Sequence, residues 1–149
     1  MEARYLSKQL LASWQGPAWH GPSLRESIKH VDAALAAPKI WGLWLHAHAW
    51  QRAVHAVVCG GAYLSLTGDE NFPPVASATE EAWKTAQAEM EATMRALAAG
   101  VAELSEEKLR EKVPGQPYSF YVMLHGVGQH NIYHAGQIML LKRQAGVVG

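Results

Sequence analysis

Glycine and proline fall in clusters in this chain, and the stretches between the clusters fit helices and little else. The breaks are Gly16-Pro17, Gly21-Pro22, Pro38, Gly60-Gly61, Pro73-Pro74 and Pro114-Gly115-Gln116-Pro117. Proline lacks a backbone N–H and glycine loses the most entropy on ordering, so regular elements stop at such points. Between the breaks, apolar residues recur at threes and fours and show no alternation. The spacing predicts a first helix over about residues 3–14. Ser23-Leu24-Arg25-Glu26 has the form of a capping box and opens a shorter helix that ends before Pro38. A second long helix, over about residues 39–58, stops at the glycine pair. A third begins near Ser77, where Ser77-Ala78-Thr79-Glu80 again has the capping-box form. Its apolar stripe is Trp83, Met90, Met94, Leu97, Val101 and Leu104. Residues 105–113 form a charged connector with room for one or two turns, and a fourth long helix covers about residues 119–143. Four long amphipathic helices with short extra helices in their connections predict an all-α four-helix bundle, one domain over residues 1–149.

Composition narrows the function classes. The chain has 149 residues, 49% hydrophobic and 17% charged, which supplies a core and excludes disorder. Thirteen Lys+Arg balance thirteen Asp+Glu, so there is no basic excess to neutralise phosphates, and nucleic acid is not an expected partner. The opening Met1-Glu2-Ala3-Arg4-Tyr5 is charged at once and unlike a signal peptide. The longest stretch without Asp, Glu, Lys or Arg runs over residues 113–141. It carries Pro114, Pro117, Gln129, Asn131, Gln137 and three histidines, a load a lipid-facing helix would not hold. One cysteine, Cys59, makes no intramolecular disulfide. A cytoplasmic protein with no membrane partner is expected, with Cys59 as a small buried hydrophobe and the six Trp mostly as core anchors.

Eight histidines in so short a chain ask for a reason. His130 and His134 stand one turn apart, about 40° from each other around a helix. They lie in the stripe Met123, Val127, His130, His134, Ile138, Leu141. Imidazoles on an apolar stripe need partners, either a shared metal ion or hydrogen bonds within the core. His125 points about 140° or more away from both and is expected at the surface or between helices. On the second helix, His46 shares an apolar stripe with Leu43, Trp50, Ala53 and Val57. His48 lies on the opposite stripe with Trp41, Leu45, Arg52 and His55, where a permanent cation repels a divalent ion and favours solvent. Helical angle therefore selects His46 as a third ligand, with a core histidine bonded to a backbone carbonyl as the alternative. His20 and His30 lie outside the long helices.

The segments Lys39-Ile40-Trp41-Gly42-Leu43-Trp44-Leu45-His46 with Trp50-Gln51-Arg52-Ala53-Val54, and His125-Gly126-Val127-Gly128-Gln129-His130-Asn131-Ile132-Tyr133-His134-Ala135-Gly136-Gln137-Ile138, resemble the two signatures of the DinB-like family. Gly16-Pro17-Ala18-Trp19-His20-Gly21-Pro22 resembles the loop after the first helix in one branch of it. The resemblance implies a bundle with up-down-down-up order and a divalent metal, zinc or nickel, held by His46, His130 and His134. It also implies chemistry on low-molecular-weight thiols, since relatives include thiol S-transferases and a thiol-dependent isomerase, and it implies a homodimer. His48 and Gly128 depart from the pattern, where a small or apolar residue and a larger aliphatic are expected.

Other residues near the ligand stripe have two readings each. Gln137 is one turn beyond His134 and either orients an imidazole or makes an ordinary interhelical hydrogen bond. Tyr133 either reaches the site or packs, and Trp50 is a pocket candidate. Gly126, Gly128 and Gly136 each cost about 1 kcal/mol relative to alanine within a helix, which points to close helix approach or a kink. Three neutral histidines leave coordination positions open on a divalent ion. The functions expected are therefore a metal-dependent enzyme that activates a thiol, a hydrolase that activates water, or a stress-response metal-binding protein without turnover. No Asp or Glu lies on either ligand stripe, which disfavours hydrolysis assisted by a carboxylate. A small-molecule substrate fits the two enzymatic readings.

Overall fold

A computed structural model describes residues 1–147, and among them every named element is a helix. The four long ones are α1 (Glu2–Gln15), α4 (Ile40–Val58), α6 (Glu80–Ala102) and α8 (Phe120–Gln144). The short ones are α2 (Leu24–Ser27), α3 (Ala33–Ala36), α5 (Gly68–Asn71) and α7 (Glu106–Arg110). Only an isolated bridge, Lys112 with Ser119, pairs backbone in the manner of a sheet among these residues. Local chemistry starts the helices. Ser119, Ser105 and Thr79 each accept an N–H from the first turn of the helix they precede, which satisfies a donor that has no partner inside the helix.

The Ser23 capping box forms in both directions, Ser23 with Glu26, but the expected single helix up to Pro38 is two. His30 takes a φ of 64°, a left-handed conformation that ends the helical path, and Asp32 caps the second piece by accepting from Leu35 N–H at 2.9 Å. The second expected box does not form. Thr79 is the cap of α6, accepting from Ala82 N–H at 3.2 Å, and Ser77 stays outside the helix. Thr79 competes for the same role two residues nearer the apolar stripe, and that position wins.

α1 packs against α6 and α8, and α4 packs against the same two. The contacts run Ser7 to Ala98, where the hydroxyl donates to the carbonyl at 2.7 Å, and His48 to Thr93 at 2.9 Å. Gly100 lies so close to Val58 that a Cβ there would meet its Cγ1 at 3.1 Å. The core is a run of indoles, Trp14 on Trp44 at 5.6 Å between ring centroids, Trp44 on Trp83 at 5.6 Å and Trp83 on Trp41 at 5.1 Å. Each pair joins two different helices, and truncating one such ring to alanine costs about 3–5 kcal/mol. Two of the indole N–H groups donate to carbonyls, Trp44 to Ala86 at 3.2 Å and Trp83 to Val31 at 2.9 Å. Trp19 does not join them. It is fully exposed in the loop after α1. Cys59 is exposed as well, one turn from His55 with Sγ 3.5 Å from its Nε2, because α4 ends there at the surface.

Two polar features cross the core. Gln51 of α4 donates to Asn131 of α8 at 2.7 Å, Asn131 donates to Ser13 of α1 at 3.2 Å, and Ser13 donates to Leu10 O at 2.8 Å. All three side chains are buried. Lys142, also buried, donates to Lys29 O at 2.6 Å, and burial lowers the pKa of its amine.

His48 overturns the expectation that its stripe faces water. It is buried against α6, because the inward face of α4 is Trp41, Trp44, Ala47, His48, Gln51 and Val54. Arg52 alone on that expected stripe is fully outward. The Thr93 hydroxyl donates to Glu89 O at 3.0 Å, so it accepts from His48 Nε2–H.

Burial, reinforced by the Arg52 guanidinium, lowers the His48 pKa from 6.5 to about 4. The unfolded chain binds this proton below about pH 6.5. His48 therefore adds stability that is full above about 6.5 and is lost as pH falls towards 4. Urea denaturation of chelator-treated protein between about pH 7 and pH 4.5 should show this acid loss. The loss should be shallower by up to one proton in His48→Gln, which keeps an N–H donor for Thr93. An identical slope in the variant would show that His48 is solvated.

Candidate metal centre

α4 and α8 bring His46, His130 and His134 together with one ring nitrogen from each within 4.8 Å of the others. His130 Nε2 lies 3.0 Å from His46 Nε2 and 3.0 Å from His134 Nε2. The far sides of two rings are held. His46 Nδ1–H donates to the Asn71 carbonyl at 2.7 Å, and His134 Nδ1–H donates to Gln137 Oε1 at 2.6 Å. Both oxygens accept only, so the hydrogen sits on Nδ1 and the Nε2 lone pairs of His46 and His134 face inward. His130 completes the point with its own Nε2, while its Nδ1 is buried without a protein partner.

That arrangement fits a divalent cation. A single hydrogen on His130 Nε2 can serve one of the two lone pairs beside it, whereas a cation serves all three nitrogens at once. Imidazole nitrogens bound at about 2.0–2.1 Å around a tetrahedral ion stand about 3.4 Å apart, and the two pairs that include His130 are already close to that spacing. Two of the rings are also biased towards the neutral form that a ligand needs. Burial, with His134 and then His46 beside it, lowers the His130 pKa to about 4. Burial lowers that of His134 too, against the opposing pull of the Gln137 hydrogen bond.

The segment around α5 steadies His46. Phe72 lies flat on its ring, with centroids 4.1 Å apart and planes 9° from parallel. Trp50 Nε1–H donates to Asn71 Oδ1 at 2.8 Å and so fixes the residue whose carbonyl orients His46. A cavity of about 500 Å³ opens beside the triad, with His46 and His130 in its wall. Val54, Met123 and Val127 line it from the helices, Trp50 flanks it, and Tyr63 and Tyr118 bring phenol rings. None of its lining residues is charged. Burial and the neighbouring Tyr63 raise the Tyr118 pKa to about 12, so this hydroxyl stays protonated.

The structure therefore brings together the three residues selected by helical angle, but the reason for His46 needs correction. Its stripe is not core throughout. Leu43, Trp50 and Ala53 are half-buried, and the stripe borders the cavity. Gln137 accepts from His134 rather than bridging to another helix, and Trp50 is in the wall. Tyr133 is 65% exposed, with its ring edge-on to His134 at 5.2 Å, and does not line the cavity. His125 is half-buried on Tyr121 at 4.5 Å, and His20 and His30 are exposed. Asn71 and Phe72 were not expected, since nothing in their local pattern links that loop to a helix twenty-five residues away. Gln51 and Asn131 were not singled out either, although each interrupts an apolar face as the histidines do.

A family model described as the DinB family matches residues 9–149. No curated protein and no solved structure matches the chain.

Removing the acceptor on His134 should weaken a bound ion without unfolding the chain. Gln137→Ala is expected to lower zinc affinity about 10–100-fold, the usual effect of losing an outer hydrogen bond to a ligand. The metal-free protein should melt nearly as before, since Gln137 is only half-buried. Unchanged affinity in a competition titration would mean that this hydrogen bond does not orient the ring.

Proposed function

The chain belongs to the DinB family, and from that membership together with the imidazole cluster we propose that it is a metal-dependent enzyme joining a low-molecular-weight thiol to a small electrophile. His46, His130 and His134 would hold the ion, zinc or nickel by the chemistry of imidazole donors. When bound, such an ion lowers the pKa of a thiol or water by several units and so supplies a nucleophile at neutral pH. The observation that carries the proposal is the placement of the three inward nitrogens. They meet at the wall of an uncharged cavity, so an ion held there would have its open side towards space for a substrate, with no fourth His, Cys, Asp or Glu grouped with them among the described residues.

The residues then divide the work. Asn71 and Gln137 keep two imidazoles in the tautomer that presents Nε2. Val54, Met123 and Val127 exclude water from the reacting end. Tyr118, whose hydroxyl stays protonated, and Tyr63 stand in the wall as hydrogen-bonding groups for a polar part of the substrate. Hydrolysis is the weaker reading because none of the cavity's lining residues is a carboxylate to take a proton from water. A role without turnover is weaker because the cluster offers three ligands and an open side.

The reading extends to the whole molecule. The order of contacts supports an up-down-down-up bundle, since Trp44, His48 and Val58 of α4 meet Ala86, Thr93 and Gly100 of α6 in the same sequence order, and Leu10 and Ser13 of α1 meet Gly128 and Asn131 of α8 in the same order. No helix among the described residues is long and apolar enough to cross a membrane, which is compatible with action in the cytoplasm. A homodimer is part of the proposal, and so is a small-molecule substrate; nucleic acid is not.

Cobalt substitution tests the reaction class. Cobalt-loaded protein titrated with a low-molecular-weight thiol should develop a sulfur-to-cobalt charge-transfer band, and an alcohol of the same shape should not produce it. Cobalt spectra that stay unchanged across the thiol titration would reject thiol activation while leaving metal binding intact.

A further inference from the structure

We propose that α8 pairs with α8 of a second copy, antiparallel about a two-fold axis beside Asn131, and that the partner completes the rim of the cavity. The outward face of α8 is unlike those of α1 and α6. Residues 119–141 contain no Asp, Glu, Lys or Arg, whereas α1 shows Glu2, Arg4 and Lys8 to solvent and α6 shows Glu81, Lys84, Glu89 and Arg95. An exposed helix face in a single soluble chain ordinarily carries such charges. Along α8 the exposed positions Val122, Gly126, Gln129, Tyr133, Gly136 and Leu140 follow each other at fours and threes in turn. That is the spacing of a helix–helix seam.

The seam is symmetric in its chemistry. Counted outward from residue 131, Gln129 faces Tyr133, Gly126 faces Gly136, and Val122 faces Leu140. An antiparallel pair about that point therefore sets each aliphatic residue on an aliphatic residue and each glycine on a glycine, which is what a self-complementary two-fold interface requires. A Cβ added at Gly126 or Gly136 would meet nothing within 4 Å in the chain. These glycines serve no close approach inside the molecule, although each costs about 1 kcal/mol of helix propensity. They leave two shallow notches, one on either side of Tyr133. Gly128 differs, since its Cβ would touch Leu10 of α1 at 3.6 Å.

The area is sufficient for a modest dimer. Val122 is 53% exposed, Tyr133 65% and Leu140 58%. With Tyr121 beside them they present roughly 400 Å² of apolar surface per copy, the size of the largest apolar patch a single chain ordinarily exposes, and such patches are often functional. Two copies bury about 800 Å² this way, and the flanking His125, Gln129 and Gln137 bring the total towards the roughly 1,200 Å² of the smaller stable interfaces. With no formal charge on the seam, no charge meets its own copy across the axis. Val122 and Gly126 also line the cavity, so the pairing sets Leu140 of the partner subunit against the cavity rim. The proposal deepens the homodimer of the preceding section and does not depend on the metal.

Sedimentation of the metal-free chain tests it. Wild type should sediment at twice the 16.3 kDa chain mass at tens of micromolar. Gly136→Glu and Leu140→Glu should each raise the dimer dissociation constant by about a hundredfold or more, because a charge is then buried against an apolar surface. Circular dichroism melts should show both variants folded, since glutamate is a better helix former than glycine. The register has its own test: a mixture of Leu140→Glu protein with Val122→Lys protein should recover a one-to-one dimer that neither forms alone. A wild type that stays monomeric overturns both the pairing and the homodimer. A dimer that survives Gly136→Glu and Leu140→Glu overturns the pairing alone, and zinc titration of the monomeric variants reports separately on the metal reading.

Discussion

Three imidazole lone pairs cannot be aimed at one point inside a protein unless something else holds the rings, and most of this structure serves that requirement. An imidazole buried without partners is costly, by roughly 1–3 kcal/mol for each unpaired polar group. Here the outer nitrogens of His46 and His134 are paired with Asn71 O and Gln137 Oε1, and each hydrogen bond also selects the tautomer. The rings then have one nitrogen left, and it points inward. His130, whose Nδ1 is buried and unpaired, is the group that gains most from an ion at the shared point.

Holding the rings also means holding the helices at one rotation. A helix turned by one residue swings its side chains by about 100° and would carry His130 and His134 out of reach of His46. Gln51, Asn131 and Ser13 prevent this. Their hydrogen bonds run from α4 through α8 to α1 in a buried layer, and Asn131 is the next residue after His130. Indole packing fixes the distances between helices, but indoles tolerate some slippage. A buried amide relay does not, because a shifted register leaves donors and acceptors unpaired. The segment around α5 acts on a smaller scale, closing over His46 with Phe72 and a carbonyl.

What was legible in the sequence follows from what is periodic. The long helices, their approximate ends and the convergence of His46, His130 and His134 could be found because spacing around a helix is fixed geometry. His48 was misplaced because a single cation, Arg52, was allowed to define its stripe. The actual inward face is set by Trp41, Trp44 and Ala47, and Arg52 merely flanks it. The break at His30 was invisible because a left-handed φ at a residue other than glycine leaves no pattern. Asn71 was invisible because it contributes a main-chain carbonyl, which any residue has. Gly126 and Gly136 were noticed, but close approach within the chain is not their explanation.

The central claim is that one divalent ion sits among these three imidazoles, and metal stoichiometry tests it most directly. Protein purified without a nickel column, stripped with chelator and titrated with zinc in a calorimeter should bind one ion per chain. His130→Ala and His134→Ala should lose that binding, whereas His48→Ala and His125→Ala should keep it. Full binding in a His46→Ala, His130→Ala, His134→Ala triple variant would contradict the account.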